Sequence, residues 1–325
     1  MTRRCAAAAF AAGLGLAGVS GEAMAQAFPN RTITLVIPFA PGGSTSIVGR
    51  VIADKMSQLL GESIVVDNRP GAGGTVGTKL VAKSEPDGYT LLLGYTGTLA
   101  IGPSLYRNVG YDPRKDFSPI GMIGHAPNAL VVHPSFPAKT VAELIAYAKA
   151  HPGKVNFGSA GVGTVSHIVG EYFSRGAGVT LVHIPYKGTA PALTDVLGGH
   201  IPMAFAPIPA SHANVSAGLL RALAVTSATR SSLMPEVPTI AESGLSGFDF
   251  SLYYGLVAPA GTPRAIIDKL NKELKAALAS EEVQKQLAQD GTEIAPGTPE
   301  DYAAFIDKDE KKWSQLLKVS GIEQE

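Results

Sequence analysis

Apolar positions along this chain alternate between two periods. Short continuous runs at Ile33–Ile37, 64–66 and 91–93 are each followed by a turn or loop segment, and the first two by a stretch with helical spacing. Over 45–60 the residues Ile47, Val48, Val51, Ile52, Met56, Leu59 and Leu60 fall on one helical face. The turn ahead of that stretch is Pro38-Phe39-Ala40-Pro41-Gly42-Gly43, and Asn68-Arg69-Pro70-Gly71-Ala72-Gly73-Gly74 precedes a predicted helix over 75–84. The same order returns in the middle of the chain. A strand at 130–132 leads to a helix opened by the capping box Thr140-Val141-Ala142-Glu143. A strand at 155–157, the loop Gly158-Ser159-Ala160-Gly161-Val162-Gly163 and a helix over about 164–174 follow. Further strands are predicted at 181–184 and 220–225, with a helix over 192–197.

The last part of the chain is mostly helical. Thr262-Pro263 places a cap and a first-turn proline ahead of Ile266, Ile267, Leu270, Leu274 and Leu278. Thr298-Pro299-Glu300-Asp301 opens a final helix through Tyr302, Phe305, Ile306, Trp313 and Leu317, whose 308–312 charge run is a solvated face. Short buried runs alternating with helices predict an α/β fold with mainly parallel sheets.

The N-terminus has a different character. Arg3 and Arg4, an apolar stretch over 5–19 and Ala23-Met24-Ala25 make the pattern of a cleavable export signal over 1–25, with a mature chain from Gln26. The apolar run is shorter than the ~20 residues that span a bilayer. Cys5 is the only cysteine, so the mature chain is expected to hold no disulfide, thiolate metal site or cysteine nucleophile. Lys+Arg and Asp+Glu both number 27, which gives no basic footprint for nucleic acid. The 37 Gly and 23 Pro suit a fold with many tight strand–helix turns.

Two loops carry the candidate chemistry. Gly42-Gly43-Ser44-Thr45 and the segment from Ser159 to Thr164 each join a strand to a helix. Glycines admit close backbone approach, hydroxyls donate, and the free N–H groups at a helix start suit an anion. The plainer reading is two Gly turns with Ser or Thr caps. Enzymatic readings fail on detail: the loops lack the Lys of a phosphate-binding loop, the third Gly of a dinucleotide fingerprint (Ser166 stands there), and a GxSxG elbow around Ser159. The seven His show no metal spacing, and no cofactor or metal is expected. His167, three residues into its helix, is a candidate donor to a bound anion. Arg69 is either a ligand clamp or a structural fork, and its Gly-rich turn favours the fork.

Several tags then occur in one register. The two loops are joined by Pro86-Asp87-Gly88-Tyr89-Thr90-Leu91-Leu92, Tyr111-Asp112-Pro113, Tyr186-Lys187-Gly188 and Val257-Ala258-Pro259-Ala260-Gly261-Thr262-Pro263. Over essentially the whole mature chain this order resembles the Bug family of periplasmic solute-binding receptors, of the tripartite tricarboxylate transporter type. The resemblance implies a two-lobed binding-protein fold, with lobe one at 27–124 plus 252–325 and lobe two at 125–251. It implies a non-catalytic monomer in the periplasm that captures a small organic anion, a di-, tri- or aromatic carboxylate, and meets membrane transporter subunits transiently. A ligand sensor for a signalling system and a secreted hydrolase are the alternatives. The implied ligand-binding residues are Phe39, Ala40, Gly42, Gly43, Ser44, Thr45, Ser46, Thr96, Ser159, Ala160, Gly161, Thr164, His167, Tyr186 and Gly188. Lys187 stays open between the cleft and the surface. Family members often carry Asp where Ser46 stands, and its loss removes a counter-charge for an amino group.

Overall fold

The strands fall into two hydrogen-bonded groups joined by one long strand. The first group holds β1 (Ile33–Ile37), β2 (Ile64–Asn68), β3 (Thr90–Tyr95), the first part of β4 (Phe117–Val132), β9 (Ser251–Pro259) and β10 (Glu293–Ile294). The second holds the last part of β4 with β5 (Val155–Ser159), β6 (Leu181–Pro185), β7 (Met203–Pro207) and β8 (Arg221–Val225). This is a computed structural model, and it describes residues 28–289, 291–320, 322 and 324. The expected export signal lies outside them. No helix among the described residues is long and apolar enough to cross a membrane.

Helices flank both groups: α1 (Ser44–Leu60), α2 (Thr75–Ala82), α3 (Gly102–Leu105), α4 (Val141–Ala150), α5 (Val165–Gly176), α6 (Thr189–Leu197), α7 (Ile208–Ser216), α8 (Arg264–Ala279), α9 (Glu281–Gln289) and α10 (Pro299–Ser320). The α/β expectation holds, and the fold is two-lobed, with a sheet that is mixed. β1–β2, β1–β3, β5–β6 and β5–β7 are parallel pairs, as βαβ units require. β4 and β9, which carry the chain between the groups in opposite directions, pair antiparallel with each other and with their other neighbours. On β4 the partner changes between Pro127, opposite Ser251, and Asn128, opposite Pro207.

A single buried hydroxyl ties this crossing together. Thr226 Oγ1 accepts from Asn128 N at 2.9 Å and donates to Phe250 O at 2.6 Å. Thr226 N donates to Asn128 O and Phe250 N donates to Thr226 O. The Thr140 cap of α4 forms as expected, with Thr140 Oγ1 accepting from Glu143 N, while Glu143 accepts from the N–H of Lys139, one residue before the cap. One apolar core runs under both groups, from Ile33 and Leu35 through Ile123 and Leu130 to Phe157, Phe205 and Trp313.

Candidate functional site

Four helices start at one place. Ser44 and Thr45 open α1, Ser166 is the second residue of α5, Thr189 opens α6, and Pro207 is the cap residue of α7; all line one small cavity. The caps of α1, α6 and α7 are Gly43, Gly188 and Pro207, and none offers a side-chain bond to the first turn. None of the four helices has an acidic residue in its first turn. The first N–H groups of a helix lack intrahelical partners, and its N-terminal end carries a partial positive charge. The positive ends of α1, α6 and α7 thus reach the cavity with neither a side-chain cap nor an acidic residue in the first turn. Phe39, Tyr95 and Leu252 from the first strand group and Ala160 from the second complete it. Its volume is about 10 Å³, room for roughly one water.

The walls come from loops that meet across the two groups. β1 and β2 are neighbours, and so are β5 and β6. The loop after β1 meets the loop after β6: Ala40 N donates to Lys187 O at 3.1 Å, and a Cβ on Gly43 would lie 3.5 Å from Thr189 Cβ. The loop after β5 meets the loop after β2 and the end of α3, where Tyr106 Oη donates to Val162 O at 2.7 Å. There a Cβ on Gly73 would lie 1.9 Å from Val162 O. A third bond runs from Val165 N to Tyr95 Oη at 2.8 Å. Because each group presents two adjacent strand ends, the loop after β1 has the start of α6 opposite it. The 159–164 loop faces 71–74, and its Ala160 shares the cavity with Phe39, Ser44 and Thr45.

The candidate residues separate accordingly. Phe39, Ser44, Thr45 and Ala160 line the cavity. Ala40, Gly42, Gly43 and Gly188 form its wall by backbone approach. Gly188 has φ +152, and a Cβ there would sit 3.3 Å from Ala40 N. The other candidates bond inside their own groups. Thr96 Oγ1 accepts from Tyr253 N at 2.7 Å. Ser46 is buried in the first turn of α1 and is not among the lining residues. Tyr186 Oη donates to Asp195 at 2.5 Å. Ser159 Oγ lies 2.6 Å from His183 Nε2, accepts from Gly161 N, and is 1% exposed, so this Ser–His pair presents no open nucleophile. Arg69 pairs with Asp67 at 2.8 Å, and Asn68 Nδ2 holds the loop by donating to Phe39 O at 2.8 Å. Lys187 is exposed.

Thr164 and His167 support the loop. Thr164 Oγ1 donates to Gly161 O at 2.6 Å and caps α5 by accepting from His167 N. His167 Nδ1 accepts from Gly163 N at 3.3 Å, and its ring stacks on His183 at 4.1 Å. Burial lowers the His167 pKa to about 3, with His183 adding to the shift, and lowers that of His183 to about 4. Both are therefore neutral near pH 7, and His167 serves Gly163 as an acceptor. Thr164→Ala is expected to lower unfolding stability by about 1 kcal/mol, the usual effect of losing a cap. Urea unfolding of the ligand-free chain checks it; unchanged stability would mean the cap bonds contribute nothing.

Sequence patterning missed Tyr95, Ser166, Thr189, Pro207 and Leu252. Gly188-Thr189 ahead of the predicted 192–197 helix was the one available signal, being the same Gly-then-hydroxyl start as Gly43-Ser44. The others reach the cavity only through tertiary packing. A larger groove of about 670 Å³ lies between Ser231-Ser232 and helices α8 and α9. It includes Leu278 and Ala279 at the C-terminal, negative end of α8, a poor setting for an anion.

The family described as tripartite tricarboxylate transporter family receptor matches residues 48–322. Three solved structures are similar over almost their whole length. The periplasmic binding protein BugD is 39% identical, covering 92% of this chain and 100% of its own, with a TM-score of 0.89. A protein of R. palustris, solved with adipate, is 37% identical over 92% of this chain and 100% of its own, with a TM-score of 0.89. MatC from Rhodopseudomonas palustris, solved with bound malate, is 33% identical over 89% of this chain and 100% of its own, with a TM-score of 0.86.

Proposed function

The chain belongs to the tripartite tricarboxylate transporter receptor family of periplasmic solute-binding proteins, and we propose that it captures a small carboxylate between its two lobes and delivers it to a membrane transporter. The observation that carries this reading is the convergence of four helix starts, three with no side-chain cap, on a cavity with no charged side chain in its lining. Such a site meets a negative charge with backbone N–H groups and hydroxyls, without a buried cation. The adipate and malate bound to two similar proteins agree with it. The family description supports a transporter as the partner.

Capture involves motion. A cavity of about 10 Å³ cannot hold a four- to six-carbon acid. The loops part to admit ligand and close on it, and the ligand supplies the differential affinity for the closed state. The lobes, 27–124 plus 252–325 and 125–251, move about the Thr226 tie between β4 and the start of β9. Each charge-assisted hydrogen bond contributes roughly 1.5–3 kcal/mol, so donors from both lobes are needed to offset an association cost of ~4–15 kcal/mol.

Thermal shift against a panel of carboxylates tests the reading. A true ligand at a hundred times its Kd adds about 2.7 kcal/mol of stability; no response to any carboxylate would sink it. Among ligands of one shape, succinate should bind more tightly than aspartate, and glutarate than glutamate. An ammonium in this cavity finds no carboxylate among the lining residues and position 46 is Ser, and an unpaired buried charge is expensive. Tighter binding of the amino acids in calorimetry would overturn that preference.

A further inference from the structure

Asn128 is the first residue of β4 to pair with β7, and its backbone is held on both sides by Thr226. Its side chain is fully buried, yet neither Oδ1 nor Nδ2 has a protein partner. Buried amides are almost always bonded, and an orphan one destabilises the fold, so this one asks for a physical explanation. The pleat gives its direction. Residues directly opposite on paired strands share a face, and so do residues two apart on one strand. Asn128 is opposite Pro207, and Ala126, two residues earlier, is opposite Leu252. Pro207 and Leu252 both line the cavity. The alternation agrees: Leu130 and Val132 lie in the core with Phe39 and Ala160, whereas Ala129 and Val131 pack in a separate cluster on the other face. The amide stands on the face of the sheet that floors the cavity.

We propose that Asn128 is a ligand-reading residue, and that the preferred ligand is a carboxylate with a hydroxyl on a neighbouring carbon. This rests on the carboxylate reading above and adds the class. An amide offers one donor face and one acceptor. A carboxylate satisfies Nδ2 but repels Oδ1, whereas a neighbouring hydroxyl donates to Oδ1 and leaves both amide atoms paired. A plain diacid leaves Oδ1 buried and unbonded. A site built to bond a hydroxyl rejects the analogue that lacks it.

Calorimetry with malate and succinate on the parent, Asn128→Leu and Asn128→Asp tests this, together with ligand-free unfolding of each. The parent should prefer malate by at least about ten-fold, one hydrogen bond's worth of affinity. Asn128→Leu, similar in size but apolar, should bring the two acids within about two-fold of each other while keeping or raising the melting temperature. Asn128→Asp keeps the shape, removes the donor and adds a negative charge, and should lose both acids at pH 8. A parent indifferent to the hydroxyl, or a preference unchanged in Asn128→Leu with a lowered melting temperature, overturns the proposal and makes the amide a structural group. If succinate, malate and the rest of the panel all fail to bind the parent, the carboxylate reading falls, and this inference with it.

Discussion

Gly73→Ala should lower affinity for any carboxylate that stabilises the parent by about a hundred-fold, while leaving both lobes folded. Gly73 sits at φ +59 in the loop after β2. A Cβ there would lie 1.9 Å from the backbone oxygen of Val162 on the opposite loop. A carbonyl oxygen on a tight turn cannot swing away as a side-chain tip would. Ordinary non-bonded contact therefore demands about 1.5 Å more separation across the cleft. That movement stretches the Tyr106 bond to Val162 O and pulls the donors of α1 from those of α5 and α6. Losing one or two charge-assisted bonds at roughly 1.5–3 kcal/mol each gives the stated factor.

The steric effect can be separated from backbone strain. Gly178 has nearly the same torsion, φ +61, with nothing within 4 Å of an added Cβ. Gly178→Ala therefore carries the left-handed penalty of roughly 1–2 kcal/mol without a clash across the cleft. Both variants should lose similar ligand-free stability, and only Gly73→Ala should lose affinity. Small-angle scattering should show ligand-induced compaction in the parent and in Gly178→Ala, and none in Gly73→Ala. Parent-like affinity in Gly73→Ala would show that closure does not bring these loops together.

Acid should destabilise the fold through the His167–His183 stack, by an amount on the order of 4 kcal/mol at pH 4, allowing for solvent at the half-buried His183. Their folded values of about 3 and 4 lie below the ordinary 6.5. As pH falls through 6.5 the unfolded chain takes up protons that the folded chain refuses. Their contribution is complete above that value and is lost on the way down to about pH 3. The cause is visible: protonated His167 would lose its role as acceptor for Gly163 N and place a charge against a stacked ring. Asp309 works in the opposite direction, since burial raises it to about 6 and the folded chain binds its proton first. The test is therefore the difference between parent and variant. His167→Gln, whose amide oxygen still accepts from Gly163, should flatten the slope of unfolding free energy between pH 6.5 and 4. An identical slope in both chains would acquit the histidines.

The element order was legible in the sequence. Ile33–Ile37 and the 91–93 run became β1 and β3 because a strand buried on both faces needs unbroken apolar residues, and the 64–66 run became the edge strand β2, which leaves Val65 exposed. The Thr140 box and the Gly43-Ser44 start marked α4 and α1 to within a residue, since caps are local chemistry. The mixed sheet was not legible, because strand direction is set by where the chain returns, and the return of β9 comes more than a hundred residues after β4.

For the site, sequence alone determined its chemical type: Gly-led helix starts with hydroxyls and no charge, which is a property of Phe39 to Thr45 read locally. Only the tertiary structure decided which starts meet. The loop after β1 has its direct contacts with Lys187 and Thr189 and shares only the cavity with Ala160, because two adjacent strand ends in each lobe face two in the other. It also decided that Thr164 and His167 brace the loop with bonds of their own. Nothing local marks Asn128 or Leu252. Leu252 comes to the cavity, and Asn128 stands on the same face of the sheet, because β4 exchanges β9 for β7 at that point and pairing between distant segments sets which face each residue takes.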